Sequence, residues 1–199
     1  LTYDTATSAP KWAAASGGTT SNFYELGTTY SIDDSTTNYI PLTAGKSFTI
    51  SPGVWQFNGS FYVQAQFFSG STAWSSNFQF NYTTLTGTNA INNIQYDYAI
   101  ASNTTSFATA ATPTIFFATA NTARTLSASL STGSRYIVLK VNGIVRVSGS
   151  GTASFAPAAN QSLAQGLGNL LNVSNGSYFT INQIDTYTSG TDAKSGTWV

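Results

Sequence analysis

Apolar and polar residues alternate along much of this chain, and the alternation is longest over residues 54–68. Because successive residues of a β-strand point to opposite sides, a period of two predicts a strand with one buried face. Gly59 interrupts the pattern and marks either a bulge or the close approach of another backbone. The apolar side of this strand carries Trp55, Phe57, Phe61, Val63, Ala65 and Phe67.

Further strands are predicted wherever the same period, or a short apolar run, returns. These stretches are residues 78–82, 94–100, 114–118, 126–130 and 197–199. A helical pattern is visible only over residues 162–171, where Gly166 and Gly168 favour a loop instead. With the hairpins described next, the sequence predicts eight to ten strands and no substantial helix.

Two Asn-Gly pairs, Asn142-Gly143 and Asn175-Gly176, each separate two apolar stretches. This dipeptide readily adopts the left-handed backbone conformations of a two-residue hairpin loop. We therefore predict two hairpins, the first closed by a type I′ turn. The flanking stretches are residues 136–141 and 144–147 for the first pair, and residues 170–173 and 178–184 for the second.

Many short strands joined by Gly, Asn and Ser turns predict an all-β sandwich, either a jelly roll or an immunoglobulin-like fold. The 199 residues fit one domain of ordinary size. Residues 1–21 are dominated by Ala, Ser, Gly and Thr without either period, so we interpret them as a linker or stalk end. The head domain then occupies residues 22–199.

Charge is scarce, and its scarcity excludes several functions. Seven Lys and Arg balance seven Asp and Glu, so only 7% of the chain is charged. We therefore expect no nucleic-acid partner and no binding to anionic membrane. Because the chain has no Cys and no His, disulfides, ordinary zinc sites, thiol nucleophiles and imidazole bases are ruled out. The sequence predicts no cofactor, no metal and no membrane insertion.

Four blocks in the same order and spacing resemble the C1q-like domains. Residues 48–57 read Phe-Thr-Ile-Ser-Pro-Gly-Val-Trp-Gln-Phe, which is similar to that family's F-T strand and P-G turn. Residues 136–143 resemble its strand ending in Asn-Gly, and residues 170–181 resemble the strand, turn and strand near its end. Residues 196–199 stand where the family has its closing strand.

The resemblance covers residues 39–199 and implies a C1q/TNF-like jelly roll of two antiparallel sheets. Such domains usually form compact homotrimers at the end of a stalk, on animal secreted proteins, bacterial spores, and viral spikes and fibres. By the same resemblance, Trp55, Phe57 and Phe61 build the core or the subunit contact. Two departures are visible: extra length between Phe68 and Thr114, and Ser177 in place of an Asp, which argues against a family-type calcium site.

The aromatic residues point to a trimer independently. The chain has 28 of them, which exceeds the need of one small core, and Tyr62 and Phe68 fall on the polar side of the long strand. A lone chain would expose these two side chains, whereas a three-fold interface would cover them. The alternative is that they are ordinary scattered surface aromatics.

Trp74 is the best candidate for a ligand-binding aromatic, because Ser and Asn surround it within residues 70–77. Tryptophan stacks on sugar rings while amides bind hydroxyls, although burial under a loop or between subunits would account for it equally. Arg124 and Arg135 flank a predicted strand and would anchor an anionic receptor, pair with an acid, or simply be solvated.

Acidic side chains offer little chemistry. Asp33 and Asp34, with Glu25 upstream, form the one carboxylate cluster, which fits either a hard cation or a solvated turn. Asp97 and Asp185 lie inside predicted strands, and nothing fixes the distance that a glycosidase pair would need. We therefore predict that the chain is not an enzyme.

These observations favour an extracellular, non-enzymatic, trimeric head domain on a viral spike or fibre, or on a microbial surface filament. It would attach to a host receptor or glycan, or cap a structural projection. The first alternative is a monomeric jelly-roll carbohydrate-binding module that reads glycans through Trp74. The second is an icosahedral capsid subunit, for which no basic internal arm is visible.

Overall fold

The computed structural model describes residues 2–4, 9–11, 21–32, 38–67, 74–107, 113–119, 121–130, 133–161 and 170–186. Within these ranges the chain forms fifteen β-strands and no helix. The strands are β1 (Thr2–Asp4), β2 (Ala9–Lys11), β3 (Ser21–Glu25), β4 (Tyr30–Ser31), β5 (Ile40–Pro41), β6 (Phe48–Ile50), β7 (Gly53–Phe67), β8 (Trp74–Gly87), β9 (Ala90–Asn103), β10 (Thr114–Ala118), β11 (Arg124–Leu130), β12 (Gly133–Ser148), β13 (Gly151–Gln161), β14 (Leu170–Val173) and β15 (Tyr178–Asp185).

Two antiparallel sheets pack face to face, which confirms the predicted all-β sandwich. The larger sheet has eight strands in the order β10-β9-β12-β7, followed by β14 and β15 on β7, with β4 and β3 beyond them. The smaller sheet has five strands in the order β11-β8-β13, followed by β5 and β6. Strands β1 and β2 pair with each other outside both sheets. These orders are consistent with a jelly roll.

The core lies between the sheets and is built from the predicted apolar positions. Phe57 of β7 is fully buried, and its ring centre lies 4.8 Å from that of Phe80 on β8 and 5.8 Å from that of Phe155 on β13. Gly59 marks a close approach, because a Cβ there would lie 2.9 Å from the Phe179 ring. The pairing of β7 runs through Gly59 without a register shift, so there is no bulge.

The predicted hairpin at Asn142-Gly143 is wrong. Strand β12 runs straight through both residues and pairs with β7 on one side and β9 on the other. Gly143 lies opposite Phe57 and Tyr96, and a Cβ on it would come within 2.4 Å of the Gln95 carbonyl oxygen. The missing side chain at Gly143 leaves space for the Phe57 and Tyr96 side chains, and the residue does not form a turn.

The predicted hairpin at Asn175-Gly176 is also wrong, although a turn exists there. Gly176 has a φ of 79°, but β14 and β15 do not pair with each other. Both pair with β7 in succession, so residues 174–177 form a loop between two segments of one interrupted strand beside β7. The buried Ser177 bridges this loop, because its Oγ accepts from the Tyr62 N–H at 3.0 Å and donates to the Ser174 carbonyl at 2.8 Å.

The other predicted strands at residues 78–82, 94–100, 114–118 and 126–130 are confirmed, within longer elements in three cases. The extra length after Phe68 contributes β8 to the smaller sheet and β9 to the larger one. Residues 162–169 and 197–199, with their predicted loop and last strand, lie outside the described residues. The assignment of residues 1–21 as a linker stays a prediction.

Candidate functional site

Exposed apolar side chains concentrate on the larger sheet. Six of the seven large hydrophobic side chains exposed within the described ranges belong to its strands, and the seventh, Leu85, belongs to β8. Strand alternation places four of the six on the outer face, the side of the larger sheet that points away from the core. These four are Phe23, Ile115, Phe117 and Ile144. Large apolar groups gathered on one face are typical of an interaction surface.

Strand β10 forms one edge of the larger sheet. Within the described part of the chain it pairs with β9 alone, so its second side offers unpaired backbone groups. Ile115 and Phe117 are 71% and 66% exposed on the outer face. Phe116 points the other way and stacks on Tyr98, with ring centres 4.9 Å apart. An exposed apolar edge strand readily accepts another chain.

The middle of the outer face is a shallow depression of about 500 Å³ that is lined by both polar and apolar side chains. Asp97 and Lys140 supply one charge of each sign there. The Ser60 hydroxyl is buried and has no hydrogen-bond partner within the described structure. Tyr178 closes one side: its hydroxyl donates to Asn58 Oδ1 at 3.2 Å, and the Phe23 ring stacks on it at 6.4 Å. The outer face therefore has a centre of mixed polar and apolar character, with exposed aromatic and aliphatic side chains at its margins.

The residues predicted as core or trimer contacts occupy two different places. Trp55, Phe57 and Phe61 are buried in the core. Tyr62 is half-buried on the outer face, where Phe107 packs edge-on against its ring at 5.6 Å. The chain thus covers part of Tyr62 itself. Phe68 lies outside the described residues.

The residues predicted to bind a ligand do not come together. Trp74 begins β8 opposite Leu130 of β11, and its side chain is not described. Arg124 is half-buried on β11 in the smaller sheet, with its guanidinium 6.0 Å above the Tyr98 ring. Arg135 is half-buried on β12 in the larger sheet, opposite Ala65. We find no shared site for the two arginines among the described residues.

Acidic groups are dispersed. Asp97 is exposed on β9, Asp185 ends β15 and Glu25 ends β3, while Asp33 and Asp34 lie outside the described residues. Across the described ranges, no group of three or more potential metal-binding side chains occurs. Within the same ranges, no helix is long and apolar enough to cross a membrane.

Sequence reasoning missed an open groove of about 930 Å³ where the two sheets diverge. Its walls come from β8, the first residues of β9, residues 38–40, Thr119 and Asn121. Side-chain amides dominate its described lining. The six amide residues are Asn38, Gln79, Asn81, Asn92, Asn93 and Asn121. The available signal was the density of amides over residues 77–93, but nothing in the sequence shows that they share a groove.

The exposed face of β10 was also missed, because the run Thr-Ile-Phe-Phe-Ala at residues 114–118 has no alternation from which an outward side could be inferred.

Comparison of the chain with protein-family models, with curated proteins and with solved structures found no match.

Proposed function

We propose that this chain is the non-enzymatic head domain of an extracellular surface projection, on a virion or a microbial cell, and that it assembles as a homotrimer through the outer face of its larger sheet. The single observation that carries the proposal is the one-sided placement of exposed apolar residues. Ile115 and Phe117 alone leave two large side chains mostly in water. Burying them against a second copy stabilises the assembly by roughly 25 cal/mol for each Å² removed from solvent.

The rest of the outer face supports contact with a copy of the same chain. The chain has no net charge, so identical surfaces do not repel one another strongly.

The number three comes from the C1q-like resemblance. Its blocks at residues 48–57, 136–143 and 170–181 fall on β6 and β7, β12, and β14 and β15. Strand β7 lies between β12 on one side and β14 and β15 on the other. The proposed mechanism is multivalent: three identical surfaces on one axis turn weak contacts with a receptor or glycan into avidity.

Native mass measurement tests the proposal. We expect the purified chain to have three times the 21.0 kDa mass of one copy. The double variant Ile115→Asp/Phe117→Asp should shift the mass to that of a monomer, because two charges on each copy would have to be buried in the interface. Leu85→Asp is the matched control, since Leu85 is 54% exposed but belongs to the smaller sheet.

Circular dichroism should show the same β-sheet signal for all three proteins. A wild-type chain that is monomeric at tens of micromolar would contradict the proposal, as would a Leu85→Asp variant that dissociates as readily as the double variant. A monomer retained on a polysaccharide would instead favour the carbohydrate-binding module. Closed shells of many copies would favour the capsid subunit.

A further inference from the structure

We infer that the amide-lined groove between β8 and β9 is a binding site for a neutral oligosaccharide chain. This site shares no lining residue with the depression on the outer face of the larger sheet. Its described lining holds six amide side chains, two tyrosines and no charged group. The aromatic pair is Tyr39 and Tyr82.

The groove exists because both sheets lose a neighbouring strand at the same level. Strand β11 begins beside Phe78 of β8, so the later residues of β8 have no strand on that side. Strand β10 ends beside Tyr96 of β9, so the earlier residues of β9 are likewise uncovered. At the far end, a corner over residues 87–90 joins β8 to β9, where the Thr88 N–H donates to the Ser150 carbonyl at 3.0 Å. The groove is therefore a constructed feature of the sandwich edge.

An extended peptide is a poor occupant of this edge. Asn121 already holds both backbone groups of Phe80, because its Oδ1 accepts from the Phe80 N–H at 2.9 Å and its Nδ2 donates to the Phe80 carbonyl at 2.6 Å. A peptide that added a strand to β8 would need those two groups. Side-chain capping by Asn121 therefore blocks continuous strand pairing and leaves the amide side chains as the recognition elements.

Sugar hydroxyls fit these side chains. Each amide both donates and accepts hydrogen bonds, which matches a hydroxyl, and the absence of charge gives no advantage to an acidic sugar. The side-chain amides of Gln79 and Asn93 make no hydrogen bond within the described structure, so they are available to a ligand. Neutral oligosaccharides present hydroxyls along their length and apolar ring faces, which tyrosine rings contact.

The tyrosines and their neighbours are held in place before any ligand binds. Asn81 Nδ2 donates to the Tyr39 carbonyl at 2.6 Å, which ties residues 38–40 to β8. The Tyr82 hydroxyl donates to Asn89 Oδ1 at 3.0 Å. Burial raises the pKa of both Tyr39 and Tyr82, so both hydroxyls stay neutral at physiological pH. Because these side chains are ordered before a ligand arrives, less conformational entropy is lost on binding.

Calorimetric titration with defined hexasaccharides tests the inference. The probes are cellohexaose, maltohexaose, mannohexaose and chitohexaose, with hexagalacturonate as the acidic comparison and a blocked Thr-Val hexapeptide as the peptide comparison. We expect at least one neutral hexasaccharide to bind, and hexagalacturonate and the peptide to bind at least about tenfold more weakly. The double variant Gln79→Ala/Asn93→Ala should weaken neutral binding by about tenfold or more, since two hydrogen-bonding groups are lost.

The matched control is Asn77→Ala/Asn175→Ala, which removes two amides that lie outside both the groove lining and the outer face of the larger sheet. It should leave hexasaccharide affinity unchanged. The inference is overturned if the wild type binds none of the four neutral probes, if the control variant loses affinity equally, or if the peptide or hexagalacturonate binds best. Native mass is measured on the same samples, so a failed trimer and a failed glycan site give different results.

Discussion

The two sheets share one core, but their solvent-facing sides differ in chemical character. The larger sheet carries exposed aromatic and aliphatic groups, such as Phe23, Ile115 and Phe117. The smaller sheet presents small or neutral polar groups at the equivalent alternate positions, and Leu85 is its one large exposed apolar side chain within the described ranges. Its outward residues include Thr49, Asn77, Gln79, Asn81, Thr83 and Ser154.

This difference shows that strand alternation and surface character are separate properties of the sequence. Alternation fixes which residues reach the core, because both sheets must bury one side. The identity of the residues in between decides what each outer side can do. On the smaller sheet they are mostly polar groups that can hydrogen-bond with water, whereas on the larger sheet several of them leave apolar area exposed to solvent.

The largest expected effect compares one residue type on the two sides of the larger sheet. Phe57→Ala should lower the free energy of unfolding by about 3–5 kcal/mol, because it opens a cavity in the aromatic core. Phe117→Ala should change the unfolding of the separated chain by less than about 0.5 kcal/mol, because Phe117 is mostly in solvent. Urea unfolding measures the free energy of unfolding of both variants, at a protein concentration low enough to keep the chain monomeric.

The same pair of variants separates folding from assembly. Phe117→Ala should weaken self-association in sedimentation experiments even though the separated chain is as stable as the wild type. A cost for Phe117→Ala near that of Phe57→Ala would show that the outer residues stabilise the fold itself. The contrast between the two outer faces would then say nothing about a partner.

The next largest effect compares two glycines: Gly143, which is closely packed inside β12, and Gly27, which has open space around it. Gly143→Ala should destabilise the chain by about 3 kcal/mol, because the new Cβ would meet the Gln95 carbonyl oxygen at 2.4 Å and Tyr96 Cβ at 2.5 Å. Gly27→Ala is the matched control, since nothing lies within 4 Å of its Cβ position. Thermal unfolding should separate the two variants clearly. Equal midpoints would contradict the packing role of Gly143.

Gly143 also shows where sequence reasoning stopped. Asn-Gly in a row of alternating apolar residues satisfies the local rule for a hairpin, and Asn175-Gly176 does form a turn. At Asn142-Gly143 the local rule lost to packing, because Phe57 and Tyr96 on the neighbouring strands need the space that a side chain would fill. Those neighbours are 86 and 47 positions away in the chain, so no local pattern contains them.

The candidate surfaces depended even more on distant pairings. The long strand and its core residues followed from period two, since one buried face is enough to produce that pattern. That β10 is an edge strand follows only from its single pairing with β9, and the groove follows from where β10 and β11 stop. Both facts belong to topology, and the sequence predicts topology only through a family resemblance.

A smaller effect tests how the larger sheet is kept continuous between β14 and β15. Ser177→Ala should cost about 1–2 kcal/mol, because the buried Tyr62 N–H would lose its acceptor and the Ser174 carbonyl its donor. Asn175→Ala, at the exposed tip of the same loop, is the control and should cost less. Hydrogen exchange of the Tyr62 amide should accelerate in Ser177→Ala alone. Unchanged exchange would remove the bridging role from Ser177.

The smallest effect expected at neutral pH is that of replacing Tyr96, a buried residue of β9 that interacts with the Arg124 guanidinium of β11. Burial raises its pKa above the ordinary value of 10.0, and the Arg124 guanidinium lowers that pKa by less. A folded-state pKa above the unfolded value means that stability is fully present below about pH 10 and is lost as pH rises through the folded-state pKa. The Tyr96 hydroxyl is buried without a described hydrogen-bond partner.

Tyr96→Phe should therefore leave stability near neutral pH within about 1 kcal/mol of wild type, because the hydroxyl makes no well-formed hydrogen bond and interacts only with the nearby Arg124 guanidinium. Above pH 10 the variant should lose less stability than the wild type, although the raised pKa values of Tyr24, Tyr39 and Tyr82 leave some alkaline loss in both. Urea midpoints at pH 8 and pH 11 measure this difference. Because the chain has no histidine, its stability should be level between about pH 6 and pH 9, and an equal alkaline loss in both proteins would show that ionisation of Tyr96 is not coupled to unfolding.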